Sequence, residues 1–326
     1  MRNMRGKLAR MLGILGLIVA AHSGAAQTDG IPEGPIRIVV PVSAGGTVDI
    51  VSRSVAAGLQ QALGRSVIVE NRTGGSGVPA TLNVVHAKPD GTTLYMGTIG
   101  TVAVNPHLMR KPPYDPLRDL VPISLVADVP GVLVVSASSP FNTVGDLIAY
   151  AKKNPGKLNY GSAGNGTSSH MSAELFKQEA GVDILHVPYP GATPAVMDLI
   201  GGQVQMFFDN IITALPQIKG GKLKALAVSA AKRSRYLPDV PTIAESGVPK
   251  YDVTGWLGLM APAGTPDAVV RRLSAEVQKL MRAPATQARI VGAETIGSTP
   301  EAFATFLKAE NERWAAVIKA SNIPLN

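Results

Sequence analysis

The chain has 326 residues, with 31 Lys+Arg against 23 Asp+Glu for a formal charge of +8, 5% aromatic residues and no cysteine. The absence of cysteine excludes a disulfide framework and a thiol-linked lipid anchor. Basic residues spread along the chain with no aromatic interleaving exclude a nucleic-acid face, and the length exceeds what one core usually needs, so two lobes are expected.

The first ten residues carry Arg2, Arg5, Lys7 and Arg10 and no acid. An apolar run follows over residues 11–21, then Ser23-Gly24-Ala25-Ala26. A basic start, a short apolar stretch and small residues describe a secretory signal peptide (residues 1–26, cleaved near Ala26), and the run is shorter than the roughly 20 residues that span a bilayer. An exported, periplasmic protein is expected. Without those four basic residues the balance is 27 against 23, or +4, a mild excess that suits a small acidic ligand.

Next comes a buried strand over residues 36–42, the turn Ser43-Ala44-Gly45-Gly46, and a helix over 47–63 opening at Thr47. Helix N-termini present unpaired N–H groups and a positive dipole end, so this is an anion cradle. A strand over 66–70 leads through Glu70-Asn71-Arg72-Thr73-Gly74-Gly75-Ser76-Gly77 to a helix over 78–86, and a strand over 93–97 follows. Those glycines read first as a βα turn and second as a wall of a cleft. The segment Arg110-Lys111-Pro112-Pro113-Tyr114-Asp115-Pro116 is too stiff for a helix or a central strand. It reads as an ordered loop leading to a crossover between lobes near residues 127–130.

A strand over 131–137 precedes a helix over 143–153, capped by Thr143 with Asp146 in its first turn and ended by Asn154-Pro155-Gly156. The strand over 158–161 runs into Gly161-Ser162-Ala163-Gly164-Asn165-Gly166-Thr167-Ser168-Ser169-His170 and a helix over 169–180. Strands follow at 184–187, 204–208 and 223–229, with a helix over 192–200. A return crossover falls at 248–253, then a strand over 257–261 and a helix over 266–281, whose Pro266 suits a first turn. A last helix over 300–318 is expected to pack back on the first lobe. This alternation predicts an α/β protein with mostly parallel sheets and helices on both faces. The crossovers divide it into residues 27–129, 130–250 and 251–326, the last returning to the first lobe.

Two glycine turns, one per half, point to a ligand held between lobes. In the first, Asp49 reads more readily as an acid complementing the helix start than as a ligand contact. In the second, glycines and hydroxyls converge on a helix start, which either holds carboxylate oxygens or is a surface loop with a serine cap. Tyr189 and Asp209 fall at carboxyl ends of strands, where ligands of open α/β sheets bind. Enzyme signatures are poor. Gly161-Ser162-Ala163-Gly164 is one residue short of a nucleophile elbow. The histidines at 86, 107, 170 and 186 lack metal-ligand spacing, and no phosphate-loop lysine follows the glycines. No metal or cofactor is expected.

Taken together, the motifs resemble the Bug (TctC-like) family, periplasmic solute-binding proteins of tripartite tricarboxylate transporters. The resemblance rests on Pro35-Ile36-Arg37-Ile38-Val39-Val40-Pro41 with Ala44-Gly45-Gly46 and Asp49, and on Val69-Glu70-Asn71-Arg72 with Gly74-Gly75. Pro89-Asp90-Gly91-Thr92-Thr93-Leu94, His186-Val187-Pro188-Tyr189 and Leu199-Ile200-Gly201-Gly202-Gln203-Val204 add to it. So do Leu237-Pro238-Asp239-Val240-Pro241-Thr242, Ala244-Glu245-Ser246-Gly247 and Ala261-Pro262-Ala263-Gly264-Thr265-Pro266. It implies a two-lobed Venus-flytrap fold closing on a small organic acid: a di- or tricarboxylate, an aromatic acid or an amino acid. The ligand-binding residues it implies are Ser43, Ala44, Gly45, Gly46, Thr47 and Asp49 from the first loop. The second gives Ser162, Ala163, Gly164, Thr167, Ser168 and His170, with Tyr189 and Asp209 flanking. Val42 stands where the family usually has Phe, and Pro190 where Lys is frequent. A monomer that meets membrane transporter subunits is expected. The rival is a secreted serine hydrolase using Ser162 or Ser168 with His170; a sensor subunit is a third reading.

Overall fold

The computed structural model describes residues 30–320; the leader and its cleavage point lie outside them. The apolar run at its start forms β1 (Ile36–Val40), buried at four of five positions. Helix α1 (Thr47–Leu63) follows and stops at Gly64, whose φ of 64° is the left-handed conformation that closes helices. Then come β2 (Val67–Asn71), a 3-10 turn at Gly75–Gly77, α2 (Val78–Val85) and β3 (Thr93–Thr98). A π-helical turn at Gly100–Val104 leads to two short helices, α3 (Asn105–Leu108) and α4 (Pro116–Asp119).

The 17-residue strand β4 (Leu120–Ser136) opens the second half. Helix α5 (Val144–Lys153) carries the expected capping box between Thr143 and Asp146. There follow β5 (Asn159–Ser162), α6 (Ser168–Ala180), β6 (Leu185–Pro188) and α7 (Ala192–Ile200). Next are β7 (Met206–Asn210), α8 (Ile211–Lys219) and β8 (Leu223–Val228). Strand β9 (Thr254–Pro262), α9 (Asp267–Arg282), α10 (Pro284–Arg289), β10 (Glu294–Thr295) and α11 (Pro300–Ala320) complete the order.

The strands join in the order β2-β1-β3-β9-β4-β7-β5-β6, with β8 and β10 also on β4. Strand β4 belongs to both halves: Leu120 to Pro130 pair with β9, and Gly131 onward with β7 and β8. The fold is thus the expected two-lobed α/β type, but the expectation of mostly parallel sheets needs correction. The outer strands β2-β1-β3 and β6-β5-β7 are parallel, whereas every pairing made by β4 or β9 is antiparallel. Outer strands are joined by helical crossovers, which force parallel pairing; the strands that carry the chain between lobes are under no such constraint.

Residues 120–130, which include the crossover expected near 127–130, are strand. Register irregularities between Pro122 and Ser124 and between Leu125 and Ala127 let a proline sit in a paired strand, as bulges do. The expected last helix appears as α11, which buries Phe303, Leu307 and Trp314. The ring of Phe303 packs so close to Gly258 of β9 that a side chain there would overlap it. Glu310 of α11 accepts hydrogen bonds from the indoles of Trp256 (2.8 Å) and Trp314 (3.1 Å). One apolar cluster runs from Val39 and Tyr95 through Leu133 and Phe208 to Trp256 and Trp314, so the core is continuous across both halves. Among the described residues no helix is long and apolar enough to cross a membrane.

Candidate functional site

The first loop turns on Gly45, whose φ of 82° favours glycine, and on Gly46, which caps α1 without any side-chain bond. No side chain therefore covers the first-turn N–H groups of α1. Asp49, in that first turn, points back beneath the loop. Its carboxylate accepts from the Gly45 N–H (3.0 Å), Arg53 Nε (2.8 Å) and Asn71 Nδ2 (3.0 Å). Burial by itself would raise its pKa, but the bonds from Arg53, Gly45 and Asn71 outweigh this and hold the carboxyl below its ordinary range. Asp49 is accordingly a brace for the glycine turn. Asn71, which the sequence reading treated only as part of a motif, also donates to the Val42 carbonyl (3.0 Å) and ties β2 to the loop. Thr47 is buried and its hydroxyl has no partner.

The second loop is bonded largely to itself. Ser162, fully buried, accepts the Gly164 N–H (3.1 Å) and lies 2.6 Å from His186 Nε2. Ser169 Oγ accepts the Ala163 N–H (2.9 Å), and the Thr167 hydroxyl donates to the Gly164 carbonyl (2.7 Å). His170 is buried with Nδ1 accepting the Gly166 N–H (3.1 Å). The hydroxyls and N–H groups read from sequence as converging on a ligand are thus mostly used to shape the loop. Thr167 caps α6 without a side-chain bond to its first turn, so the N–H groups of Ser168, Ser169 and His170 are the donors that point forward.

His186 was not among the expected contacts, yet its ring is central to this loop. Tyr160, His186 and His170 form a column, with ring centroids 4.7 Å and 4.3 Å apart. Burial lowers the pKa of both imidazoles, that of His186 to about 4. Residues 160, 170 and 186 obey no single periodicity; only the parallel pairing of Tyr160 with His186 brings two of them together. The pairing on which the rival hydrolase reading relied, Ser162 with His170, is not formed: Ser162 meets His186, because His170 is turned to the Gly166 amide.

Tyr189 lies at the end of the His186 segment and donates through its hydroxyl to Asp198 (2.7 Å), while burial and Asp198 push its pKa to about 12. Asp209, at the carboxyl end of β7, is 2% exposed. One of its oxygens accepts from the Asn210 N–H (2.8 Å) and the Thr213 hydroxyl (2.7 Å), the other is buried without a partner, and burial pushes the acid to about 6. The two halves approach each other closely at two places. A Cβ on Gly191 would lie 3.5 Å from Ser43 Oγ, and one on Gly100 would lie 2.8 Å from the Gly166 carbonyl oxygen. The loops Ser43–Thr47 and Ser162–His170 contain no lysine or arginine. Among the described residues no group of three His, Cys, Asp or Glu is gathered as a metal ion would require.

Residues 51–323 match the family model described as TctC, the tripartite tricarboxylate transporter family receptor. A protein of Pseudomonas sp. strain P51, described as a UPF0065 protein in the tcbD–tcbE intergenic region, is 39% identical over 96% of this chain and 94% of its own length. The solved structure described as R. palustris Rpa4515 with adipate has a TM-score of 0.86 at 38% identity, covering 90% of this chain and 99% of that one. That of MatC from Rhodopseudomonas palustris with bound malate has a TM-score of 0.83 at 33% identity, covering 88% and 100%.

Proposed function

We propose a function from one premise: the chain belongs to the tripartite tricarboxylate transporter receptor family. On this reading it is an exported, monomeric solute-binding protein that captures a small dicarboxylate between its lobes and hands it to membrane transporter subunits. The lobes comprise residues 27–129 with 251–326, and 130–250. The observation that carries the reading is the pair of helix starts, those of α1 and α6, neither covered by a capping side chain, each on a loop that touches the other half of the molecule: Ser43 at Gly191, and Gly166 at Gly100.

The chemistry follows from what these loops offer. Backbone N–H groups and helix dipoles hold carboxylate oxygens without a formal countercharge. A diacid has two such groups, so each carboxylate meets one helix start. A ligand touching both lobes has contacts in the closed state that the open state lacks, and binding therefore favours closure. Adipate and malate, held by two similar proteins, are both dicarboxylates, which supports the substrate class.

We infer that the protein holds its ligand without converting it. Ser162 does sit beside a histidine, but it is fully buried, and its oxygen accepts the Gly164 N–H, so it is not presented to a substrate as a nucleophile must be. Thermal-shift screening and calorimetry with adipate, malate, tricarballylate, benzoate and glutamate test the reading. A dicarboxylate that raises the melting temperature and is recovered unchanged supports it. Binding confined to tricarballylate or benzoate, or turnover of an ester abolished by Ser162→Ala, overturns it.

A further inference from the structure

The second loop rests on the ring column of Tyr160, His186 and His170, and both imidazoles bond to it. His170 Nδ1 accepts the Gly166 N–H at 3.1 Å, so that nitrogen carries no proton. Ser162 Oγ accepts the Gly164 N–H at 3.1 Å, and the acceptor within reach of its own buried hydrogen is His186 Nε2, 2.6 Å away, so the hydroxyl donates there. This network assigns both rings as neutral, each with its loop-facing nitrogen bare. The rings stack at 4.3 Å, so a proton on one opposes a proton on the other.

The charged and titratable groups facing the pair are few. From α6 come Glu174 and Lys177, and from β5 Tyr160. Glu174 accepts from the Tyr160 hydroxyl (2.5 Å) and from Lys177 Nζ (2.7 Å), so its charge is already engaged. Glu174 favours a cation on His186, but burial, the His170 ring and Lys177 together oppose it more strongly.

We propose that His186, acting through Ser162 and stacked on His170, is a positioning residue for ligand binding: it holds Gly164 and the turn leading into α6 in the ligand-holding shape, and protonation of the pair releases that turn. This rests on the reading that the second loop holds the ligand. Each protonation disturbs a loop bond. A proton on His170 Nδ1 displaces the Gly166 N–H. A proton on His186 Nε2 reverses its bond with Ser162, whose oxygen then accepts the ring N–H in competition with the Gly164 N–H. Because burial lowers both pKa values, the loop stays set at neutral pH and yields only in acid.

The test needs no ligand. In the ligand-free protein, the amide signals of Gly164 and Gly166 are followed by NMR from pH 7.5 to pH 3.5 beside the histidine ring signals. Both amides should move with the ring titrations. In His186→Gln or Ser162→Ala the Gly164 transition should vanish while that of Gly166 persists. Amides indifferent to ring titration, or a Gly164 transition that survives both substitutions, overturn the proposal; the wild-type titration alone suffices if a variant does not fold.

A second arm uses adipate. Wild type and His186→Gln are compared at pH 7.5 and pH 4, so that adipate's own titration cancels in the ratio. Half of His186 carries a proton near pH 4, so the wild type should lose about twofold more affinity than the variant. Equal losses overturn the proposal. Adipate bound by neither protein at pH 7.5 counts against the dicarboxylate reading instead, and the amide titration still decides the role of His186.

Discussion

Ser229 clasps Gly131: its hydroxyl oxygen accepts the Gly131 N–H at 3.0 Å, and its backbone N–H donates to the Gly131 carbonyl at 2.9 Å. The same hydroxyl donates to the Val253 carbonyl at 2.7 Å. Gly131 is where β4 leaves β9 for the second half, and Val253 immediately precedes the return strand. One buried serine thus joins both chain crossings, and its geometry can be tested. Ser229→Ala leaves a buried N–H and a carbonyl without partners and should cost about 1–3 kcal/mol. Gly131→Ala should destabilise too, since its Cβ would lie 2.7 Å from Ser229 Oγ. Removing that oxygen relieves the overlap, so the double variant should lose less than the sum of the two. Urea unfolding of all four proteins measures this; simple additivity would show that the serine is not what crowds Gly131.

The two glycines of the first loop should respond differently. Gly46 has a φ of −83°, and a Cβ there meets only the Ser43 carbonyl at 3.7 Å. Gly46→Leu should therefore cost only about 1 kcal/mol, the ordinary loss of a favoured helix-cap residue, while abolishing dicarboxylate binding by filling the helix start. Gly45 has a φ of 82°, so Gly45→Ala strains the turn and should cost about 1–2 kcal/mol. Calorimetric titration beside thermal melting separates these effects. Unchanged affinity in Gly46→Leu would remove this loop from the site.

Much of this first loop was legible in the sequence, because everything that builds it is local. The apolar run, the glycines and a helix opening at Thr47 specify a strand-turn-helix without help from distant residues. The second loop was legible as a location but not as a mechanism. That Ser162, Thr167 and Ser169 turn inward, and that His186 lies beneath them, depends on the packing of β5 against β6. Helix α8 was overlooked because Pro216 sits inside it, and the first part of β4 because its prolines argue against a strand. In both cases tertiary pairing outweighs a local prohibition.

Stability should respond to pH through opposing groups. Burial pushes Asp128 and Asp209 up to about 6, so their folded-state pKa values exceed the ordinary carboxylate value. The folded protein takes up those protons first, and their contribution to stability rises as pH falls from about 6 to about 4. His186 works the other way. Its folded pKa of about 4 lies below the ordinary 6.5, so its contribution is full above 6.5 and is lost as pH falls toward 4. Asp209→Asn should therefore be more stable than wild type at pH 8, with the advantage shrinking below pH 6. His186→Gln should lose less stability than wild type between pH 6.5 and pH 4. Melting temperatures across pH 4–8 check both, and parallel curves for all three proteins would contradict them.

The approach of Ser43 to Gly191 offers a direct test of closure. A Cβ on Gly191 would lie 3.5 Å from Ser43 Oγ, the atom a cysteine sulfur would replace, and in a disulfide each Cβ lies about 3 Å from the far sulfur, so a small shift closes the bridge. The backbone at Gly191 is extended, with φ of 162°, so a cysteine is accommodated there. The chain has no native cysteine, so the pair Ser43→Cys and Gly191→Cys has no competing thiol. Oxidation should lock the lobes together. Ligand bound beforehand should then dissociate far more slowly, while ligand added afterwards should be excluded, and reduction should restore both rates. Stopped-flow or filter measurements of adipate exchange read this out. If the bridge forms and exchange is unaffected, the ligand does not lie behind these two loops.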